Sequence, residues 1–156
     1  MAKCIGIISD THGLLRDQVR SRLCDCDTII HAGDVGSQSV LMELRQIAPL
    51  VVAVRGNVDA GQWAKELKEQ ERLEIEGRAI WVVHDIGTLA LDLRSAGIDV
   101  VIHGHSHKPA IVHEDGILYI NPGSAGPRRF QLPVSMAVFH IQPGGETLGE
   151  LIEIPV

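Results

Sequence analysis

Short runs of branched apolar residues alternate along the chain with segments whose apolar positions recur every three or four residues. "CIGIIS" at 4–9 reads as a buried strand, followed by a helix over 15–24 in which Leu15, Val19 and Leu23 share one face. "TIIHA" at 28–32 predicts a second strand, 37–47 a second helix with Ser37 at its N-cap, and "LVVAV" at 50–54 a third strand. That βαβαβ order predicts a mostly parallel sheet covered by helices. After a polar stretch containing Trp63, "LEIEG" and "RAIWVVHD" read as two strands turned at Glu76-Gly77, and 89–93 as part of a further helix ended by Ala96-Gly97. "DVVIHG" is another strand. Beyond Pro109, "AIVHE", "ILYIN", "SMAVFHI" and "LGELIEI" have no helical segment between them. This tail looks antiparallel and is expected to form a second sheet packed on the first.

Composition narrows the class. A chain of 156 residues is long enough for one core, and a single domain over 1–156 is expected. The net charge of -6 argues against extended nucleic-acid binding, which needs a basic face to neutralise phosphates. It leaves room for a small phosphorylated substrate held by metal ions. No apolar run approaches bilayer length, and the opening "MAKCIGIISD" is too short for a signal peptide, so no membrane association is expected. Three cysteines without framework spacing point to a reducing cytoplasm. In "CDC", Cys24 reads as a small buried residue in preference to a thiolate ligand.

The polar residues suited to chemistry fall just after strands: Asp10 and His12 in "SDTHG", Asp34 in "AGDVG", Asn57 in "RGNVD", His84 in "VVHD", His105 and His107 in "GHSH". Open α/β sheets bind ligands at the carboxyl ends of their strands, so five strand ends would bring seven donors into one hollow. Mixed carboxylates and imidazoles suit Mn, Fe, Ni or Zn and suit calcium poorly. Seven donors exceed one four-coordinate zinc and fit two ions sharing a bridging carboxylate. His31, His113 and His140 read as structural, and His103 as a neighbour of ligands and no more.

Taken in order, "SDTHG…HAGD…RGNVD…VVH…GHSH", with "NPGS" at 121–124, resembles the calcineurin-like metallophosphoesterases and, within them, the small YfcE-like phosphodiesterase branch. The resemblance implies an α/β fold, a two-sheet β-sandwich flanked by helices in four layers, α/β/β/α, with a dinuclear centre above it. By the same resemblance Asp10, His12 and His107 would bind one ion, Asn57, His84 and His105 the other, and Asp34 would bridge them. The ions would be two divalent transition metals, manganese first, with nickel, iron, cobalt and zinc as alternatives. A metal-bridging hydroxide would attack phosphorus, with Asp34, Asn57 and His84 nearest the reaction.

The implied activity is phosphoric ester hydrolysis, on diesters in preference to monoesters, with a small phosphate ester as substrate. A homodimer is left open. The alternative is a noncatalytic protein-interaction scaffold, because the family includes a retromer subunit that uses this fold for protein contacts. Two departures stand out. Val58 follows the metal-binding asparagine where many larger members have a histidine that helps the leaving group depart. Asp85 stands where glycine is usual, and its charge would either alter phosphate entry or hold a partner beside the metals. Asp59 divides evenly between orienting a ligand and turning the chain. Arg55, Arg128 and Arg129 are candidates for gripping phosphate and, equally, for facing solvent. Trp63 reads as cover for the core over a stacking platform.

Overall fold

The computed structural model describes residues 3–156. The chain runs β1 (Lys3–Ile8), α1 (Asp17–Leu23), β2 (Thr28–His31), α2 (Gln38–Ile47), β3 (Leu50–Ala53) and a short α3 (Gln62–Lys65). It continues through β4 (Gln70–Ile75), β5 (Arg78–Val83), a 3-10 helix (Ile86–Thr88), β6 (Val100–Ile102), β7 (Ala110–Glu114), β8 (Ile117–Asn121), β9 (Ser135–Ile141) and β10 (Thr147–Glu153). As the apolar runs predict, β1, β2 and β3 are parallel, with Ile7 beside Ile30 and Ile30 beside Val52. Glu76 and Gly77 turn β4 into antiparallel β5, both with positive φ (49° and 79°), the geometry that matches the twist of a two-residue hairpin.

The tail does not form a sheet of its own. β7 and β8 join β4, β5 and β6 in the order β4-β5-β6-β8-β7, whereas β9 and β10 return to the first sheet, giving β10-β9-β1-β2-β3. Burial explains the split. β9 is buried along almost its whole length and takes the covered position against β1, while β10 alternates half-buried and exposed residues and takes the edge. The first sheet therefore has parallel β1, β2 and β3 on one side and antiparallel pairing through β9 and β10 on the other, whereas the second has parallel β5, β6 and β8 at its centre and an antiparallel strand at each edge.

Ile5, Ile7 and Phe139 from one sheet meet Ile80, Ile102 and Ile120 from the other to form the inner core. Ile8, Ile29 and Met136 on the outer face of the first sheet pack on Val19 and Leu23 of α1 and on Val40, Leu41 and Leu44 of α2. Trp63 is partly buried against this cluster, which makes it core cover. Ser37 occupies the N-cap position of α2, yet its hydroxyl pairs with Ser39 Oγ at 2.8 Å and caps no helix N–H.

The second sheet's outer face is covered without the helix expected at 89–93. The Asp92 carboxylate accepts from the Ser95 N–H (3.3 Å) and hydroxyl (2.9 Å), and Gly97 at φ 72° reverses the chain. Such local bonds compete with helix formation. Leu93 and Ile98 still reach Ala79, Val83 and Val101. Cys24 is exposed, contrary to expectation, because it follows buried Leu23 at the end of α1 and turns away from the sheet. Cys26 is the buried thiol, pushed up to about 12 by burial and by Cys4, whose Sγ lies 3.5 Å away.

Phe139 is fully buried between the sheets. Phe139→Ala should lower the unfolding free energy by about 3–5 kcal/mol, read as a reduced urea midpoint at unchanged m-value.

Candidate metal centre

The loops after β1, β2, β3, β5 and β6 converge at one rim of the sandwich. Asp10 (φ 56°), His12 (46°), Asp34 (55°), His105 (71°) and His107 (64°) all adopt left-handed backbone, which residues other than glycine rarely do. Bonds between loops hold them there: the Asp10 and His12 N–H groups donate to the Gly33 and Asp34 carbonyls, both at 3.0 Å, and Gly104 N–H donates to the His84 carbonyl at 3.0 Å. Gly33 permits this approach, since a Cβ there would lie 2.6 Å from His84 Nδ1.

The side chains that meet here face one another with too few hydrogens. His84 Nδ1 lies 2.7 Å from the Ala32 carbonyl, which accepts only, so the ring proton sits on Nδ1. Nε2 then faces Asn57 Oδ1 (3.0 Å) and Asp34 Oδ2 (3.2 Å), both acceptors, so a proton or another cation at Nε2 is needed to satisfy them. On the other side, Asp10 Oδ1 lies 3.2 Å from His107 Nε2, 3.7 Å from His12 Nε2 and 4.0 Å from His84 Nε2. Asp10 Oδ1 and His12 Nε2 are buried, yet neither has a hydrogen-bond partner. Acceptors gathered in this way call for a cation. The titration of the pair agrees: burial opposes charge on both His84 and Asp34, but each favours the other's charged form. The net effect raises the His84 pKa and lowers that of Asp34.

Two sets of groups are close enough to hold an ion: Asp10, His12 and His107, and Asp10, Asp34 and His84. Asp34 Oδ2 reaches both His84 and His12 (3.8 Å), a bridging position. Asp10 belongs to both sets, which spacing along the chain did not reveal. His105 stands apart from both. Its ring is 5.2 Å from that of His84, and its Nε2 lies 3.9 Å from Asp85 Oδ2.

Around these donors lies a layer of buried polar groups. The Asp59 carboxylate accepts from the N–H groups of Val35 (3.2 Å), Gly36 (2.9 Å) and Gly56 (2.9 Å), tying the Asp34 loop to the Asn57 loop. It is therefore a clamp between loops. His31 is structural, as expected, but what it supports is the site: its Nδ1 accepts from Gly33 N–H (3.1 Å), and its Nε2–H donates to Thr11 Oγ1 (2.9 Å). Thr11 in turn donates to the Val35 carbonyl (2.8 Å).

Sequence reasoning missed Ser9, Asn121 and Ser124. Ser9 Oγ donates to Asp10 Oδ2 (2.6 Å), Ser124 Oγ to the Asp10 carbonyl (3.1 Å), and Asn121 Nδ2 to the Gly104 carbonyl (3.2 Å). The signal for Ser9 and Asn121 was a polar residue closing an apolar run, "CIGIIS" and "ILYIN", and for Ser124 its place in "NPGS". Arg55 is paired with Glu69 at 3.1 Å, and Arg128 donates to the Leu132 carbonyl from an exposed loop. Arg129 is exposed as well, with its positive charge felt at His107.

Residues 4–144 match the family model described as the calcineurin-like phosphoesterase superfamily domain. The chain belongs to that superfamily. This calcineurin-like phosphoesterase is 39% identical over 133 residues to a protein named as a probable metallophosphoesterase of Methanocaldococcus jannaschii, covering 77% of this chain and 67% of the relative. Among solved structures it is similar to an archaeal phosphodiesterase, with a TM-score of 0.77 and 26% identity over 96% of this chain and 99% of that one. It is also similar to vacuolar protein sorting 29 of Cryptosporidium parvum, with a TM-score of 0.79 and 21% identity over 98% of each chain. This last likeness is one of fold.

The buried His31 of the phosphoesterase gives a pH prediction. Burial, reinforced by His84, lowers its pKa from 6.5 to about 3, so the folded protein holds the ring neutral. Above 6.5 the residue causes no loss of stability. As pH falls from 6.5 toward 3, the unfolded chain takes up a proton that the folded one refuses. The metal-free protein should then lose about 1.4 kcal/mol per pH unit from this residue alone. Urea unfolding across that range should show a shallower slope for His31→Asn.

Proposed function

We propose that this calcineurin-like chain is a metal-dependent phosphodiesterase with two divalent ions, manganese the first choice. Asp10, His12 and His107 hold one ion, Asn57, His84 and His105 the other, and Asp34 lies between them. The observation that carries this reading is Asp10 Oδ1, buried among three imidazoles with no hydrogen bond. The donor chemistry fits, since neutral imidazoles and carboxylates are what divalent transition metals take. Ions bound there would supply a nucleophile at neutral pH and neutralise charge on the phosphoryl oxygens.

The chain's own residues do the rest. Ala32 keeps the His84 proton on Nδ1 and leaves Nε2 free to bind. Val58 N–H donates to Asp34 Oδ1 at 3.0 Å and fixes the bridging carboxylate. To join the second set, the half-exposed His105 ring would have to turn from its place 3.9 Å from Asp85.

Diester chemistry is supported by the likeness to an archaeal phosphodiesterase and by Val58, an apolar side chain 47% exposed next to Asn57. Valine has no proton to give a departing alkoxide, so esters of acidic alcohols suit the site best. A cleft of about 280 Å³ beside His84 and His105 suits a small substrate. The free thiols of Cys4 and Cys26 fit a reducing cytoplasm. The scaffold reading draws on the likeness to vacuolar protein sorting 29.

A metal-defined assay separates the two readings. Metal-stripped protein reloaded with manganese should hydrolyse diesters of acidic phenols fastest in a panel of mono-, di- and cyclic phosphoesters with products identified. The metal should also stabilise the fold by about 2.7 kcal/mol at a hundred times its Kd, and Asp34→Asn should abolish both effects. Metal binding with no turnover of any ester would favour the scaffold. Failure to bind metal near neutral pH would remove the proposed chemistry altogether.

A further inference from the structure

We infer that Asp85 sets the charge selectivity of this site, favouring phosphodiesters, whose phosphate carries one negative charge, over phosphomonoesters, whose phosphate carries two. The inference rests on the phosphodiesterase reading and names a residue that selects its substrate class.

The cleft beside the metal centre is lined by Asn57, His84 and His105 together with Arg55, Glu69 and Asp85. Among the described residues lining it, Arg55 is the sole arginine or lysine, and Glu69 already pairs with it at 3.1 Å. No side-chain cation is therefore left over to offset Asp85. The Asp85 carboxylate is also held in place. Its Oδ1 accepts from Gly87 N–H at 2.9 Å, and its carbonyl accepts from the Thr88 N–H (3.0 Å) and hydroxyl (2.7 Å). That leaves Oδ2 directed at His105 Nε2, 3.9 Å away, with the side chain 43% exposed to the cleft.

A substrate phosphate bound in this cleft would lie beside the carboxylate, and a separation of about 6 Å sets the scale of their repulsion. One additional negative charge at that distance is disfavoured by a factor between about three in water-like surroundings and about a hundred at an effective dielectric near 20. A diester lacks that charge. Selection between the two classes then follows from one fixed carboxylate, with no need for contacts to the ester arms.

Asp85→Asn tests this directly, because the amide oxygen can still accept from Gly87 while the charge is gone. Manganese-loaded wild type and variant would be titrated calorimetrically at pH 8 with methyl phosphate, a dianion, and dimethyl phosphate, a monoanion. In parallel, kcat/KM would be measured for an aryl monoester and an aryl diester with the same leaving group, with metal content checked by elemental analysis. Methyl phosphate should bind roughly tenfold tighter to the variant than to wild type, dimethyl phosphate should change far less, and the monoester-to-diester ratio of kcat/KM should rise by a similar factor. Asp85→Glu should keep the wild-type preference. Equal changes for both anions, or no change, would overturn the inference. So would loss of manganese from Asp85→Asn, which would make Asp85 a metal ligand instead. Should wild type turn over neither ester, the phosphodiesterase reading fails, and the binding arm still decides the role of Asp85.

Discussion

Asp10 Oδ1 is surrounded by imidazole nitrogens of His107, His12 and His84 at 3.2, 3.7 and 4.0 Å and makes no hydrogen bond to any of them. A buried carboxylate left in that state is costly, and the loops spend further free energy to create it. Five of the converging residues adopt left-handed backbone, at about 1–2 kcal/mol each. Such an arrangement persists because neighbouring groups over-determine it. Asp59 clamps two loops through three N–H groups, His31 and Thr11 link the Asp10 loop to the Asp34 loop, and Ser9 fixes the second oxygen of Asp10. The rigid sandwich below supplies the footing, with its parallel strands from both sheets ending at the same rim.

Much of this was legible in the sequence, for identifiable reasons. β1, β2, β5 and β6 are largely buried on both faces, β3 is apolar though partly exposed at the edge, and all five announce themselves as apolar runs, so the residues that follow them could be placed at strand ends. The motif order pointed to Asp10, His12, Asp34, His84 and His107, which the fold brings close together, and to His105, which stands apart. What escaped was set by tertiary contact. The return of β9 to the first sheet depends on how completely that strand is buried, which a run such as "SMAVFHI" does not distinguish from a place in the second sheet. The expected helix at 89–93 lost to local bonds between Asp92 and Ser95. Membership of Asp10 in both donor sets, and the turn of His105 toward Asp85, are matters of a few ångströms that spacing along the chain cannot encode.

The fold is shared with vacuolar protein sorting 29 and with an archaeal phosphodiesterase, so architecture does not separate a scaffold from an enzyme here. The side chains at the rim are what the proposed enzyme reading rests on. Here the polar support is invested in the donors: Ala32 sets the His84 tautomer, Val58 and Asp59 hold the Asp34 loop, and Asn121 braces the loop carrying His105 and His107. These are the groups a metal site needs around its ligands.

Anomalous diffraction from crystals grown with manganese, recorded on both sides of the metal edge, tests the central claim most directly. The account predicts two peaks about 3.5–4 Å apart, flanking the Asp34 carboxylate, with His107 at one and His84 at the other. A single fully occupied peak, or two peaks with no shared Asp34 oxygen, would contradict it.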